Sequence, residues 1–287
     1  MVIVKLALRN ILGAGLRTWL NVFVLSLAFV VIIWLQGFID GMNNEAMTTM
    51  IDIEYGGGQY WHQNYDPYDP LTLEDSHAPL SPALAALVAK GQASAVLLTS
   101  GAIYPEGRVQ AVQIKGIDPN QQIVQLPSEV LKTDDPDIIP ALIGGRMAEQ
   151  TKLQVGDSVT VRWRDIHGTF DATEFQIVQI MKTTAQSVDS GIIWIPLMTL
   201  QKLLQAPGQA SVVTVAKNLT DIPQGDATWI FRNHEYLLSD IIALVKQKSV
   251  GSSIMYFFLL FLGLLAIFDT QVLAMFRRRK EMGTLMA

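Results

Sequence analysis

Two runs of this chain are almost wholly apolar, and the long stretch between them is not. Thr18 to Ile39 contains no charged residue, and Ser253 to Phe276 contains only Asp269. A helix rises about 1.5 Å per residue, so either run crosses a hydrocarbon core of about 30 Å. Both runs keep helical periodicity beyond their outer ends. Met42, Ala46, Met50 and Ile53 continue the first, and Leu238, Ile241, Ile242 and Val245 lead into the second over Glu235 to Ser249. These segments read as stalks on the membrane helices.

The middle of the chain alternates. Val112 and Ile114 take turns with Gln113 and Lys115, which predicts a strand over Val109 to Ile117 with one wet face. Val159, Val161 and Trp163 share one face of another strand, entered through a turn at Val155-Gly156-Asp157. Further strands are predicted at Ala95–Thr99, Leu142–Ile143, Phe175–Met181, Ile192–Ile195, Val212–Ala216 and Thr228–Phe231. Helices are predicted at Pro82–Ala89, Arg146–Leu153 and Leu197–Leu204. Gly56 to His77 is rich in turn residues and aromatics and reads as a loop. The fold class is therefore a membrane protein whose transmembrane helices, extended as stalks, flank a mixed α+β extracytoplasmic domain. Its segments are an interfacial helix over 1–17, membrane helices over 18–39 and 252–276, the outer domain with its stalks over 40–251, and a cytoplasmic segment over 277–287.

Charge sets the orientation. Lys5, Arg9 and Arg17 precede the first apolar run, and Arg277, Arg278, Arg279 and Lys280 follow the second. Lys and Arg near membrane segments collect on the cytoplasmic side, so both ends are predicted inside and the middle outside. Asp40 to Ser252 carries about ten more acidic than basic residues. An acidic domain of this kind is a poor partner for nucleic acid. There is no cysteine among the 287 residues, so the outer domain folds without disulfides.

Candidate chemistry is sparse. No phosphate-loop, zinc-protease or Ser/His/Asp signature is present, which predicts no ATP hydrolysis by this chain alone. Gly56 to Gly58 lacks the Lys-Ser/Thr ending of a phosphate loop and reads as a flexible turn. His62 and His77 lie among Asp66, Asp69, Glu74 and Asp75; a metal site and a solvated acidic loop both fit, and the spacing favours the loop. Gly144-Gly145-Arg146 suits an anion or a tight strand-to-helix turn. Asp269 is the one charge within a membrane run. An intramembrane carboxylate calls for a partner, and Ser26 on the first helix is expected at a similar depth. A functional carboxyl and a structural one in a helix interface both remain open.

The end of the chain resembles FtsX-like ABC transporter permeases, a group that includes MacB-type exporters and lipoprotein-releasing (Lol-type) permeases. A membrane helix, a basic run and an E-x-G-x-L-x-A helix are matched here by Arg277 to Lys280, Glu281, Gly283, Leu285 and Ala287. The N-terminal LALRNILGAGLRTWL resembles the family's elbow helix. IKGIDP and the stretch from Pro140 to Arg164 resemble elements of MacB-like periplasmic domains, and GFIDGM resembles a string of the Lol-type branch.

That resemblance implies a permease that carries the movement of a separate ABC ATPase, which would hold the ATP and Mg, to a periplasmic domain. It implies that Arg278, Arg279, Lys280, Glu281, Gly283 and Leu285 contact the ATPase. It also implies pairing with a second permease copy or paralogue, an inner-membrane location, and lipoprotein release as the first expected activity. A periplasmic carrier or lipoprotein is a further expected partner. A MacB-type exporter of peptide, antibiotic or lipid is the alternative within the family. A two-helix sensory receptor is the alternative outside it. The family has two further membrane helices, so a truncated or split permease is expected.

Overall fold

The computed structural model describes residues 15–133, 135–182, 189 and 191–285. It divides into two compact units, Met1–Asn44 with Asp240–Ala287, and Glu45–Ser239.

The first unit holds the two long helices. Helix α1 (Gly15–Met50) begins in this unit, and α6 (Ser239–Leu285) ends in it. Both are long and apolar enough to cross a membrane. Most of their described Leu, Val, Ile and Phe side chains are exposed, as lipid-facing side chains are. They run antiparallel within the unit. Leu25 approaches Gly263, where an added Cβ would lie 3.3 Å from Leu25 Cδ2. Ile39 and Asn43 lie near Val245 and Ser253. Small residues let helix backbones come close where the hydrophobic effect supplies no attraction.

The second unit is built on a sheet that closes on itself. Its strands are β1 (Gln59–His62), β2 (Ala78–Pro79), β3 (Ala93–Ile103), β4 (Gln110–Ile117), β5 (Pro140–Gly144), β6 (Ser158–Arg164), β7 (Phe170–Met181), β8 (Ile192–Pro196), β9 (Gln209–Ala210), β10 (Val212–Val215) and β11 (Trp229–Arg232). Pairing runs β3–β4–β8–β5–β7–β6 and returns from β6 to β3, a closed ring of six strands. The return contact pairs Gly101 with Trp163 and Ile103 with Val161. Closure removes the free edges of those strands.

Alternation explains the interior. Along β6 the buried residues are Val159, Val161 and Trp163, and their neighbours are exposed. With Ile103, Ile114, Ile143, Phe175, Ile177 and Ile193 they fill the ring. Helix α3 (Gly145–Thr151) and helix α4 (Leu197–Leu203) add Met147 and Leu200 to the same core.

β3 is long enough to serve two sheets. Val96 to Ile103 pairs with β4, while Ala93 to Val96 pairs with β10. β10 then pairs with β1, and β1 with β11, all antiparallel. Helix α2 (Pro82–Ala89) covers one face of this second sheet with Leu84 and Leu87. Ser81 caps it, accepting a hydrogen bond from Leu84 N, and Pro82 sits in its first turn. Trp61, Leu73 and Leu98 cover the other face.

Three sequence expectations change. Gln59–His62 is a strand inside the sheet, not part of a loop. Both faces are covered, Tyr60 by one cluster and Trp61 by the other, so no alternation marked it. Lys115 is buried, although its side of β4 read as wet. The helix expected from Glu235 breaks at Leu238, giving a short α5 (His234–Leu237) before α6. Its N-cap is Asn233, which accepts from Tyr236 N.

Candidate functional site

The residues that tie helical lead-ins to the sheet form a connected polar network in the second unit. After Met50, α1 does not end in a loop. It widens into one π-helical turn, Ile51–Tyr55, which stops at Gly56 with φ of 54°. A π turn carries one residue more per turn than an α-helix, and such turns gather at functional sites.

Two carboxylates of that turn reach two separate parts of the sheet. Glu54 Oε1 lies 2.5 Å from Lys115 Nζ on β4. Asp52 pairs with Lys217, just past β10, and its carbonyl accepts from Gln125 N at 2.7 Å. Gln59 at the start of β1 links the same pieces. Its Nε2 donates to Glu54 O at 2.9 Å and Thr214 Oγ1 at 3.1 Å, and its Oε1 accepts from Trp61 Nε1 at 2.8 Å.

The three glycines between turn and strand are packed, not flexible. A Cβ on Gly56 would lie 2.5 Å from Val215 O, one on Gly57 2.3 Å from Ala216 O, and one on Gly58 2.6 Å from Phe231 Cζ. Gly57 N donates to Val215 O at 2.7 Å, and Val215 N donates to Gly58 O at 3.0 Å. The turn expected there is present, and its glycines serve close approach rather than mobility.

The second lead-in reaches the same place. His234, first residue of α5, bonds Gly56 O through Nε2 at 2.9 Å. A carbonyl only accepts, so Nε2 carries the proton. Arg232 stacks over Tyr236 at 4.1 Å, and Trp61 meets Tyr236 and Tyr65 edge-on at 5.7 and 4.9 Å. Cation–π and aromatic pairs of this kind add directional packing to the apolar contact of Leu237. Tyr60 and Tyr65 are held neutral. Burial pushes Tyr60 up to about 12. Burial raises Tyr65 further, with the nearby Glu54 charge acting in the same direction. The arrangement ties the chain entering the domain to β4 through Lys115 and to the end of β10 through Lys217, and ties the chain leaving the domain to the same turn through His234 and Gly56.

A family model for the MacB-like periplasmic core domain matches residues 18–227, most of the chain. The chain belongs to that family. It is a MacB/FtsX-like ABC transporter permease chain with a MacB-like periplasmic domain and two helices suited to the membrane. Two solved structures are similar to it. One is the periplasmic region of MacB from Actinobacillus actinomycetemcomitans, at 11% identity and a TM-score of 0.41, over 65% of this chain and 94% of that one. The other is the extracellular domain of the noncanonic ABC-type transporter YknZ from Gram-positive bacteria, at 14% and 0.38, over 57% and 84%. Comparison with curated protein sequences gives no match.

In the MacB-like permease the residues singled out by sequence fall in three places. Arg278, Arg279, Lys280, Glu281, Gly283 and Leu285 lie on the last turns of α6, where the backbone is helical. Ala287 and the elbow segment before Gly15 lie outside the described residues. Asp269 is exposed on α6 and Ser26 on α1. They are not level. Leu25 meets Gly263, so Asp269 stands six residues, about 9 Å, further along the helix.

The remaining candidates are structural. Gly144-Gly145-Arg146 does hold a carboxylate, but it is the chain's own. Asp189 Oδ2 accepts from Arg146 N at 3.2 Å and lies 3.5 Å from Arg146 Nε. His62 and His77 gather no set of three metal-ligating side chains among the described residues. His62 is buried against Trp229, and its Nδ1 accepts from Asn64 N. His77 bonds Gln209 Oε1 at 2.5 Å and Glu74 O at 2.9 Å. Sequence reading missed Asp52, Glu54, Gln59, Lys115, Lys217 and His234. The available signal was the pair of acidic residues closing the first stalk's apolar stripe.

Proposed function

We propose that this chain conveys the movement of a separate ABC ATPase to its extracytoplasmic domain, and that it does so for lipoprotein release at the inner membrane. The observation carrying the first part is the junction. The chain segments that lead from and to the two apolar helices meet at one turn, which Glu54–Lys115 fixes to β4, Asp52–Lys217 fixes to the end of β10, and His234–Gly56 fixes to the second lead-in. A load entering through either lead-in reaches β4 and β10 without passing through a loose loop. Lipoprotein release rests on the GFIDGM string at Gly37 to Met42 and its resemblance to the Lol-type branch.

The cytoplasmic end of α6 is assigned to the ATPase, with Arg278, Arg279, Lys280, Glu281, Gly283 and Leu285 as the contact and ATP and Mg bound by that subunit. A second permease copy or paralogue completes the unit. The test is a detergent pull-down of the chain from its native membranes, scored by mass spectrometry. An ABC ATPase should be recovered, and should be lost on Glu281→Lys or Gly283→Trp. Recovery of a histidine kinase in its place would make the chain a sensory receptor. For the substrate, depletion of the chain should leave mature lipoproteins in the inner membrane; unchanged lipoprotein sorting would move the assignment to a MacB-type exporter.

A further inference from the structure

We infer that the segment Asp66 to Leu71 is a preformed docking knob for a second extracytoplasmic protein, one with an apolar groove bordered by Lys and Arg. The inference uses the extracytoplasmic placement of the domain and no assumption about substrate.

The sequence there is a tandem, Asp66-Pro67-Tyr68 followed by Asp69-Pro70-Leu71. Each repeat folds the same way. Asp66 Oδ1 accepts from Tyr68 N at 2.9 Å, and Asp69 Oδ1 accepts from Leu71 N at 3.0 Å. Proline fixes the backbone between acceptor and donor, so each turn is stiff before anything binds. Thr72 Oγ1 locks the two together, donating to Asp69 O at 2.7 Å and accepting from Asp66 N at 3.2 Å.

Each turn carries one large side chain that is mostly exposed. Tyr68 is 72% exposed and Leu71 80%. The base beneath them is anchored. Leu73 is buried against Trp61, Leu98 and Val212. Glu74 pairs with Arg164 at 2.8 Å, and His77 ties the far end to Gln209. Pro67 and Pro70 also line a cleft of about 370 Å³ shared with Tyr65, Ser100 and Ala111, so a hollow sits beside the two knobs. A stiff, exposed Tyr and Leu next to a hollow give apolar anchors that lose little entropy on binding.

Charge selects the class of partner. Asp66 and Asp69 stand at the foot of each knob, Asp75 follows close in sequence, and all three are exposed, while the charge of Glu74 is matched by Arg164. Carboxylates beside an apolar anchor favour a partner whose groove has a basic rim. The same carboxylates repel an anionic lipid surface, which argues against a membrane wedge.

The experiment places p-benzoyl-phenylalanine at position 68 of the full chain and irradiates native membranes. The expected result is an adduct with one extracytoplasmic protein whose linked segment borders an apolar groove rimmed by Lys or Arg. Leu71→Ser should lower its yield about tenfold, a typical loss for an interface anchor, and should leave the thermal midpoint unchanged, since Leu71 is exposed. Raised salt should lower the yield as well. An adduct with lipid, an adduct with a second copy of this chain, or a yield no higher than from the same probe at exposed Val109 would overturn the inference. Recovery of the ATPase is read separately, so failure here leaves the proposed function standing.

Discussion

Glu54 and Lys115 form a 2.5 Å ion pair across 61 residues of chain, with only 23% and 10% of their side chains exposed. The pair joins the turn that closes the first stalk to a strand of the closed ring. Removing one partner strands the other charge in a half-buried place. Lys115→Met should therefore lower the stability of the domain by about 2 kcal/mol. Replacing both with Met should restore most of it, because two apolar side chains need no ion pair. Thermal unfolding of the four proteins as a double-mutant cycle measures this. A Lys115→Met variant as stable as the parent would mean the pair contributes nothing to the junction.

The glycines give a sharper contrast. Gly57→Ala places a methyl group 2.3 Å from a backbone oxygen, so the strand or the turn must move. A cost of about 2 kcal/mol or more follows. Gly251→Ala meets nothing within 4 Å and lies inside α6, where Ala is preferred by about 1 kcal/mol. The two variants should shift the thermal midpoint in opposite directions.

β6 was legible in the sequence because it is covered on one side only, whereas β5 and β8 are buried along almost their whole length and showed only as short apolar runs. Val159, Val161 and Trp163 alternate with exposed neighbours, and β6 follows from that pattern. Pro82–Ala89 carries its own start signal in Ser81 and Pro82. The junction was not legible. Tyr60 and Trp61 are buried on opposite faces, so β1 shows no period of two. Lys115 looked solvated because its partner, Glu54, is supplied by a distant segment. Gly56 to Gly58 looked mobile because crowding by Val215, Ala216 and Phe231 is a tertiary fact. Asp189 gave no hint that it would occupy the turn at Gly144.

His62 makes the domain sensitive to acid. Its pKa is lowered from the usual 6.5, first by burial and then by the charge of His77. As pH falls the unfolded chain takes up this proton before the folded one does. The contribution is whole above pH 6.5 and is lost as pH drops from there toward the folded pKa. Thermal midpoints of the parent and His62→Gln should converge as pH falls from 7 to 5. A constant gap between them across that range would remove His62 from the acid response.

Asp269 faces outward from α6 in this chain, so any partner it has is expected on another helix. Asp269→Asn keeps a hydrogen-bonding side chain and should preserve association with the second permease chain. Asp269→Leu should weaken it. Co-purification of differently tagged copies reports both. If Asp269→Asn abolishes transport while association is retained, the carboxyl has a proton-linked role instead.

In the proposed function, the junction passes ATP-driven movement to the outer domain. The absence of native cysteine permits a single spin label at Val109→Cys, which is 69% exposed. The distance between labels on the two copies of the reconstituted complex should change between the ATP-bound and nucleotide-free states. Inserting two glycines after Met50 should abolish that change while ATP hydrolysis continues. A change of the same size with the insertion present would contradict transmission through the junction.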